Sequence, residues 1–304
     1  MNTQSRTVPE SFESQGIAPA ALPATRPLYW SVRRELWENR SIYIAPLAVA
    51  AVALFAFSIS SIVGIWEKPL RLNPAHSQTP YDLAAGLLML TGIVVSVFYC
   101  LDALSGERRD RSILFWKSLP VSDVTTVLAK ASIPLVVLPL LIFAIIVAMH
   151  WLMLLVSSAV LLVGGQSVAT LWTNFSFFRM SLALFYHLVT AHALWPFPIY
   201  CWLLLVSGWA RRATFLWAAL PLVAIAGVEQ IVFHTWHFAV LVGGRLIGNA
   251  PAFESTPGDM FPTDPMIHIT PGHFLISPGL WIGLVIAAAF LAAAVRLRRY
   301  QGPI

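Results

Sequence analysis

Few residues in this sequence are able to do chemistry. They are its eight histidines, its two cysteines, one acid deep in an apolar run and a dense charged string. His150, His187 and His192 stand inside long apolar runs, and His234 and His237 stand at the end of another. Pairs of intramembrane imidazoles can ligate haem or copper. But His187 and His192 are five apart, about 140° around an α-helix, and share a face poorly. The plainer role for the histidines is hydrogen bonding between helices or at a membrane surface. Glu229 lies in Ala226-Gly227-Val228-Glu229-Gln230. A carboxylate there is costly and faces a bundle interior or a wet cavity. With Gln230 and His234 it can line a pathway or bond a neighbouring helix; the alternative is a hydrated group at the boundary. Cys100 and Cys201 show neither zinc spacing nor a disulfide framework and read as packing residues. No metal site is expected. The strings of a P-loop, of His-Glu-x-x-His and of a Gly-x-Ser-x-Gly elbow are all absent, so this chain is not expected to be an enzyme.

The charged string begins at Gly106-Glu107-Arg108-Arg109-Asp110-Arg111 and turns apolar and aromatic at Ile113-Leu114-Phe115-Trp116. It closes on Lys117-Ser118-Leu119-Pro120. Glu107 to Arg111 alternates sign and reads as a solvated network. Residues 112–119 are long enough for two helical turns. Large aromatics beside charge are typical of docking patches. A surface helix resting on lipid headgroups is the other reading.

The elements that must position these residues follow from composition. The 304 residues are 58% hydrophobic and only 11% charged, and mean hydropathy is +0.75. A soluble domain carries roughly 25% charged residues. Several apolar runs exceed the ~18 residues needed to cross a ~30 Å hydrocarbon core. Backbone groups must be satisfied within lipid, so the fold class is all-α, polytopic, with six transmembrane helices. Spans are expected at residues 41–65, 82–104, 131–163, 182–207, 213–233 and 278–295. The third is too long for one crossing and too short for two. Pro134 and Pro139 should kink it, and Pro196 and Pro198 should kink the fourth. Ser122 should cap the helix after the charged string, and Asp123 suits its positive end. Residues 1–27 read as a disordered tail without a signal-peptide h-region. In residues 28–40, Tyr29, Val32, Leu36 and Trp37 recur at helical spacing. Arg33, Arg34, Glu38 and Arg40 fall largely opposite. That pattern is an amphipathic interfacial helix, with a basic flank as the alternative.

Lys and Arg set the expected orientation. With the N-terminus cytoplasmic, only Lys68, Arg71, Arg179 and Arg245 of the nineteen fall outside. Both termini and the charged string are then cytoplasmic, in a multi-pass protein of a cell inner membrane. The net charge of +5 reports this topology, and no nucleic-acid partner is expected. The residue set leaves three function classes open. They are a transporter subunit, a membrane redox or metal/haem protein using the histidines, and a membrane assembly or signalling protein with a docking loop.

The strings Arg33-Arg34-Glu35-Leu36-Trp37-Glu38-Asn39-Arg40 and Glu107 to Ser122 resemble those of type-2 ABC exporter permeases, the membrane subunits of ATP-binding-cassette transporters. Six spans and a long segment before the last also match that layout. The resemblance implies that residues 28–40 form an elbow helix carrying Arg33, Arg34, Trp37 and Glu38. It implies a transmembrane domain over residues 41–299, with a cytoplasmic coupling loop at 105–130. Residues 112–119 would be the coupling helix on a separate ATPase, with Glu107, Arg108, Arg109, Asp110, Arg111, Leu114, Phe115, Trp116 and Lys117 at the docking contact. Residues 234–277 would hold short outer or re-entrant helices over the pathway. ATP-Mg would be the partner's cofactor, with none in this chain. The remaining partners would be membrane lipid and a second permease copy, as homodimer or heterodimer.

Overall fold

The structure is a computed structural model that describes residues 25–67, 79–110, 121–165, 167–174, 177–247 and 271–300. All regular elements among these residues are helical. In chain order they begin with α1 (Thr25–Glu38), α2 (Ser41–Glu67), α3 (Thr79–Asp102) and α4 (Ser105–Arg109). Then come α5 (Asp123–Ser132), a π-helical turn (Ile133–Val137), α6 (Leu138–Val163), α7 (Ala169–Asn174) and α8 (Phe177–His187). A second π-helical turn (Leu188–Leu194) leads to α9 (Phe197–Trp209), α10 (Thr214–Phe233), α11 (His237–Ile247), α12 (Pro271–Ile276) and α13 (Pro278–Tyr300).

Among the described residues, five of the helical runs are long and apolar enough to cross a membrane, and a sixth is counted if the bent pair α8–α9 forms one span. The third run is continuous from Asp123 to Val163, 41 residues, or roughly 60 Å of helix. It starts eight residues before the expected 131. Pro134 does not break it; the chain absorbs the missing N–H in a π-helical turn, as single-turn π-bulges do. The fourth span bends by 41° at its break, where the pyrrolidine rings of Pro196 and Pro198 were expected to kink it.

α3 is the central helix, packed by α2, α6 and α9, and α13 packs along α9. Its inward stripe is Ala84, Ala85, Leu88, Met89, Val95, Ser96, Tyr99 and Cys100, all buried. Leu83, Leu87, Leu90, Val94 and Phe98 point out and are exposed. Small residues on the inward stripe let neighbouring backbones approach, the usual means of association where lipid is as apolar as leucine. At Gly92 an added Cβ would meet Ile142 Cγ1 at 3.3 Å. Cys100 and Cys201 are both free and buried, consistent with packing.

α1 packs on α5 through Val32 and Leu36. Tyr29, Trp30 and Trp37 point outward instead of joining them. The Arg33 guanidinium lies over the rings of Trp30 and Trp37, 5.2 and 4.9 Å from their centroids. The expected division of α1 into one apolar and one basic face is therefore corrected. The aromatic rings share the outer face with Arg33, and a charged residue, Glu35, occupies the inner one.

Candidate functional site

A buried ionic hub sits where α1, α3, α4, α5 and α13 converge. It is built by a sharp turn between α3 and α4. Ser207 of α9 makes that turn possible: its Oγ accepts from Leu104 N at 3.0 Å and Ser105 N at 2.9 Å. Both are amides that no helix would satisfy at this break. Arg108 adds a second tie, donating from Nη1 to Gly208 O at 2.6 Å. Ser207→Ala leaves two amides without their acceptor. The expected cost is about 1–3 kcal/mol, read as a lowered thermal midpoint of the purified chain in detergent. An unchanged midpoint would show that Ser207 does not hold the turn.

The turn places Glu107 among three cations from three helices. Its Oε1 accepts from Arg34 Nη2 at 3.0 Å and pairs with Lys130 Nζ at 3.1 Å. Its Oε2 pairs with Arg298 Nη1. Lys130 Nζ also donates to Glu35 Oε1 at 2.8 Å, and the Tyr99 hydroxyl donates to Glu35 Oε2 at 2.9 Å. The rim is closed by Arg34 Nε to Glu38 Oε1 at 2.8 Å and Arg298 Nε to Asp123 Oδ1 at 3.2 Å. Glu35, Glu107, Lys130 and Arg298 are buried, with relative exposures of 2, 7, 2 and 6%. Burial opposes the charge on Arg34, but Glu38, Glu35 and Glu107 outweigh it and raise its pKa. Each acid faces at least one cation and the cations share carboxylates, so the hub is close to charge-neutral. That balance is what permits burial, since an unpaired ion there would be costly. Ser122 caps α5 as expected, its Oγ accepting from Thr125 N at 3.1 Å, and so fixes the end of α5 that carries Asp123.

The expected docking residues divide. Glu107 and Arg108 are buried in the hub and its turn, which corrects the reading of Glu107 to Arg111 as one solvated network. The reason is convergence: α5 and α13 bring Lys130 and Arg298 against Glu107, far apart in sequence. Arg109 and Asp110 are exposed and pair only loosely, Nε to Oδ1 at 3.6 Å. Arg111, Leu114, Phe115, Trp116 and Lys117, with the helix expected over residues 112–119, lie outside the described residues. The same holds for residues 1–24 of the expected tail. Sequence reading missed Glu35, Tyr99, Lys130, Arg298 and Ser207 as members of the site. Two signals were present. Glu35 falls three residues after Val32 on the apolar face of α1, and Lys130 interrupts Val127-Leu128-Ala129 and Ala131.

The remaining candidates are placed elsewhere. Glu229 ties the corner between α10 and α11. It accepts from Thr235 Oγ1 at 2.9 Å, His237 N at 2.8 Å and Phe238 N at 2.8 Å, so it caps the first turn of α11. Gln230 Oε1 is buried without a hydrogen-bond partner among the described residues. His234 is exposed and ends α10 in the left-handed region, φ 54°. Of the segment expected over 234–277, α11 and α12 are described and residues 248–270 are not. His150 bonds the backbone, Nε2 to Tyr81 O at 3.2 Å, and its ring lies 5.6 Å from that of Tyr81. His187 and His192 have ring centroids 5.1 Å apart, closer than α-helical spacing allows. The π-helical turn Leu188–Leu194 explains this correction, because i→i+5 bonding brings residues five apart nearly into line. Among the described residues no group of three His, Cys, Asp or Glu is placed to hold a metal ion. Comparison with protein-family models, curated proteins and solved structures finds no match to this chain.

Proposed function

We propose that this chain is the membrane permease subunit of an ABC exporter, coupled to a separate ATPase through the loop between its second and third spans. The observation that carries this reading is the hub. It ties α4, which leads into residues 111–120, to α1, α5 and α13 by ion pairs. A loop that transmits force needs such a seat, since a contact on a yielding anchor moves the loop and not the spans. With the hub on the cytoplasmic side, ATP-driven closure of the partner would push residues 112–119. The load would pass through Glu107 to Lys130 at the foot of the long third run and to Arg298 at the end of α13. Arg109 and Asp110 stay exposed beside the loop and are free to set its register on the partner. Catalysis of ATP hydrolysis belongs to that partner. α1, with Trp30, Arg33 and Trp37 outward, fits an elbow helix at the lipid interface, where aromatic and basic side chains anchor. An inner membrane and a second permease copy complete the proposal.

The test is co-purification with an ATP-binding-cassette ATPase encoded alongside the chain. Trp116→Ala or Arg109→Glu should abolish capture while membrane insertion stays intact. Deletion of residues 112–119 with coupling retained would end the docking assignment.

A further inference from the structure

Arginines gather at the turn between α9 and α10, and no acid among the described residues answers them. Arg108 is buried and donates from Nη1 to Gly208 O, near the end of α9, at 2.6 Å. Its Nε is also buried and makes no hydrogen bond among the described residues. The Arg211 guanidinium is near enough to repel it. A water molecule at Nε satisfies that N–H but brings no charge, so the repulsion stays. Arg211 and Arg212 are exposed and make no ion pair among the described residues. The nearby carboxylates are engaged elsewhere: Glu107 lies in the hub, and Asp102 and Asp110 pair with Arg109. The sequence has no acid in residues 111–120 and none between Asp123 and Glu229. In the hub, by contrast, every buried cation faces a carboxylate. The turn also holds Ala213 in the left-handed region, φ 52°, a strained backbone of the kind that clusters at functional sites. Across it the Trp209 and Trp217 rings meet edge to face, centroids 5.0 Å apart, and both are exposed.

We infer that the turn between α9 and α10 binds the phosphate of an anionic phospholipid, with Arg211 as the contact and Arg108 as the charge behind it. Two guanidiniums call for an anion, and a planar fork of N–H donors suits phosphate oxygens. Arg211 is exposed, so the phosphate reaches it without any rearrangement. Arg108 needs no contact: its field acts over the short distance at which Arg211 already feels it, and a buried charge is little screened by salt. Arg212 adds a further positive charge beside them. The surroundings select a lipid over a free ion. Trp209 and Trp217 present ring faces at the end of one span and the start of the next, the depth at which indoles sit among headgroups. Phe215 and Leu216 are exposed beside them and offer an apolar wall to an acyl chain. Basic pockets between membrane helices are the usual seat of anionic headgroups. The inference needs only the membrane and does not rest on the transport reading.

The experiment uses the full chain, delipidated in a non-ionic detergent, with its thermal midpoint read by a thiol-reactive dye on the buried Cys100 and Cys201. Dioleoylphosphatidylglycerol should raise the midpoint and saturate. Dioleoylphosphatidylcholine and inorganic phosphate should not. Arg211→Gln should raise the half-saturating mole fraction of phosphatidylglycerol about ten-fold, the effect of losing one contact from a charged donor. Without lipid its midpoint should equal or exceed that of the unaltered chain, because the repulsion of Arg108 is gone. A purely structural Arg211 would give the opposite, a lower midpoint with unchanged half-saturation. Arg40→Gln, at another exposed arginine beside a span, should leave half-saturation as it was. Equal stabilisation by phosphatidylcholine or by phosphate alone would overturn the inference, and so would equal weakening by the two substitutions.

Discussion

Glu107→Gln is expected to lower the stability of the folded chain by about 3–5 kcal/mol, the cost of leaving buried charges without their partner. The substitution keeps the shape and removes the charge. Lys130 keeps Glu35, while Arg298 keeps Asp123 at the rim and Arg34 keeps Glu38. The loss is larger than for any surface pair because solvent cannot step in: the Glu107 side chain is 5% exposed and that of Arg298 is 4%. The chain supplies its own reporter. Cys100 and Cys201 are buried and free, so a thiol-reactive dye reads unfolding in detergent as temperature rises. Arg109→Gln is the matched control. Its side chain is 69% exposed and its ion pairs with Asp102 and Asp110 are long, at 3.7 and 3.6 Å. Exposed pairs of this kind contribute little, so no shift in midpoint is expected. Equal midpoints for the two variants would show that the hub does not hold the helices together.

The second large effect lies at the other end of α13. Gly279 and Arg298 are nineteen residues apart, roughly 28 Å along the helix axis. There Arg245 of α11 reaches across, donating from Nη1 to Trp195 O at 3.1 Å and from Nη2 to Gly279 O at 2.5 Å. Its guanidinium also sits 4.4 Å from the Trp195 ring centroid. Burial pulls the Arg245 pKa down, and the cation is held by carbonyls and an aromatic face. The close approach depends on glycine: a Cβ at position 283 would lie 2.5 Å from Arg245 Nη1. Gly283→Ala should therefore displace the guanidinium and cost about 3 kcal/mol, since each hydrogen bond from a charged donor contributes about 1.5–3 kcal/mol. Arg245→Met should cost a similar amount. In the double variant the second substitution should add little, because the group it displaces is already gone. Additive losses in thermal midpoint would mean that Gly283 acts through something other than Arg245.

How much of this was legible beforehand depends on the kind of interaction. The apolar runs, the bend at Pro196, the cap at Ser122 and the role of the cysteines were readable because each rests on local chemistry. Glu229 was recognised as an acid needing partners, but its partners are backbone amides at the start of α11, which no side-chain pattern announces. The pairing of His187 with His192 was read as unfavourable because α-helical geometry was assumed; the π turn changed the angle per residue. Glu107 was singled out for its charge and misplaced in solvent, since its partners Lys130 and Arg298 lie 23 and 191 positions away.

What the sequence alone determined is the solvent. Eleven per cent charge and runs of apolar residues admit only helices that satisfy their backbone internally, and so a helical membrane protein. What only the tertiary structure decided is which face of each helix is inside. Lipid tails are as apolar as leucine, so Leu83 and Leu88 on α3 read alike in sequence, yet the first is 63% exposed and the second 0%. With no hydropathy difference to orient the helices, packing of small residues and pairing of buried charge do so instead. The charged string is where this shows most plainly: Glu107 turns inward because the cations that neutralise it arrive from other helices, and Arg108 because it donates to the Gly208 carbonyl of α9.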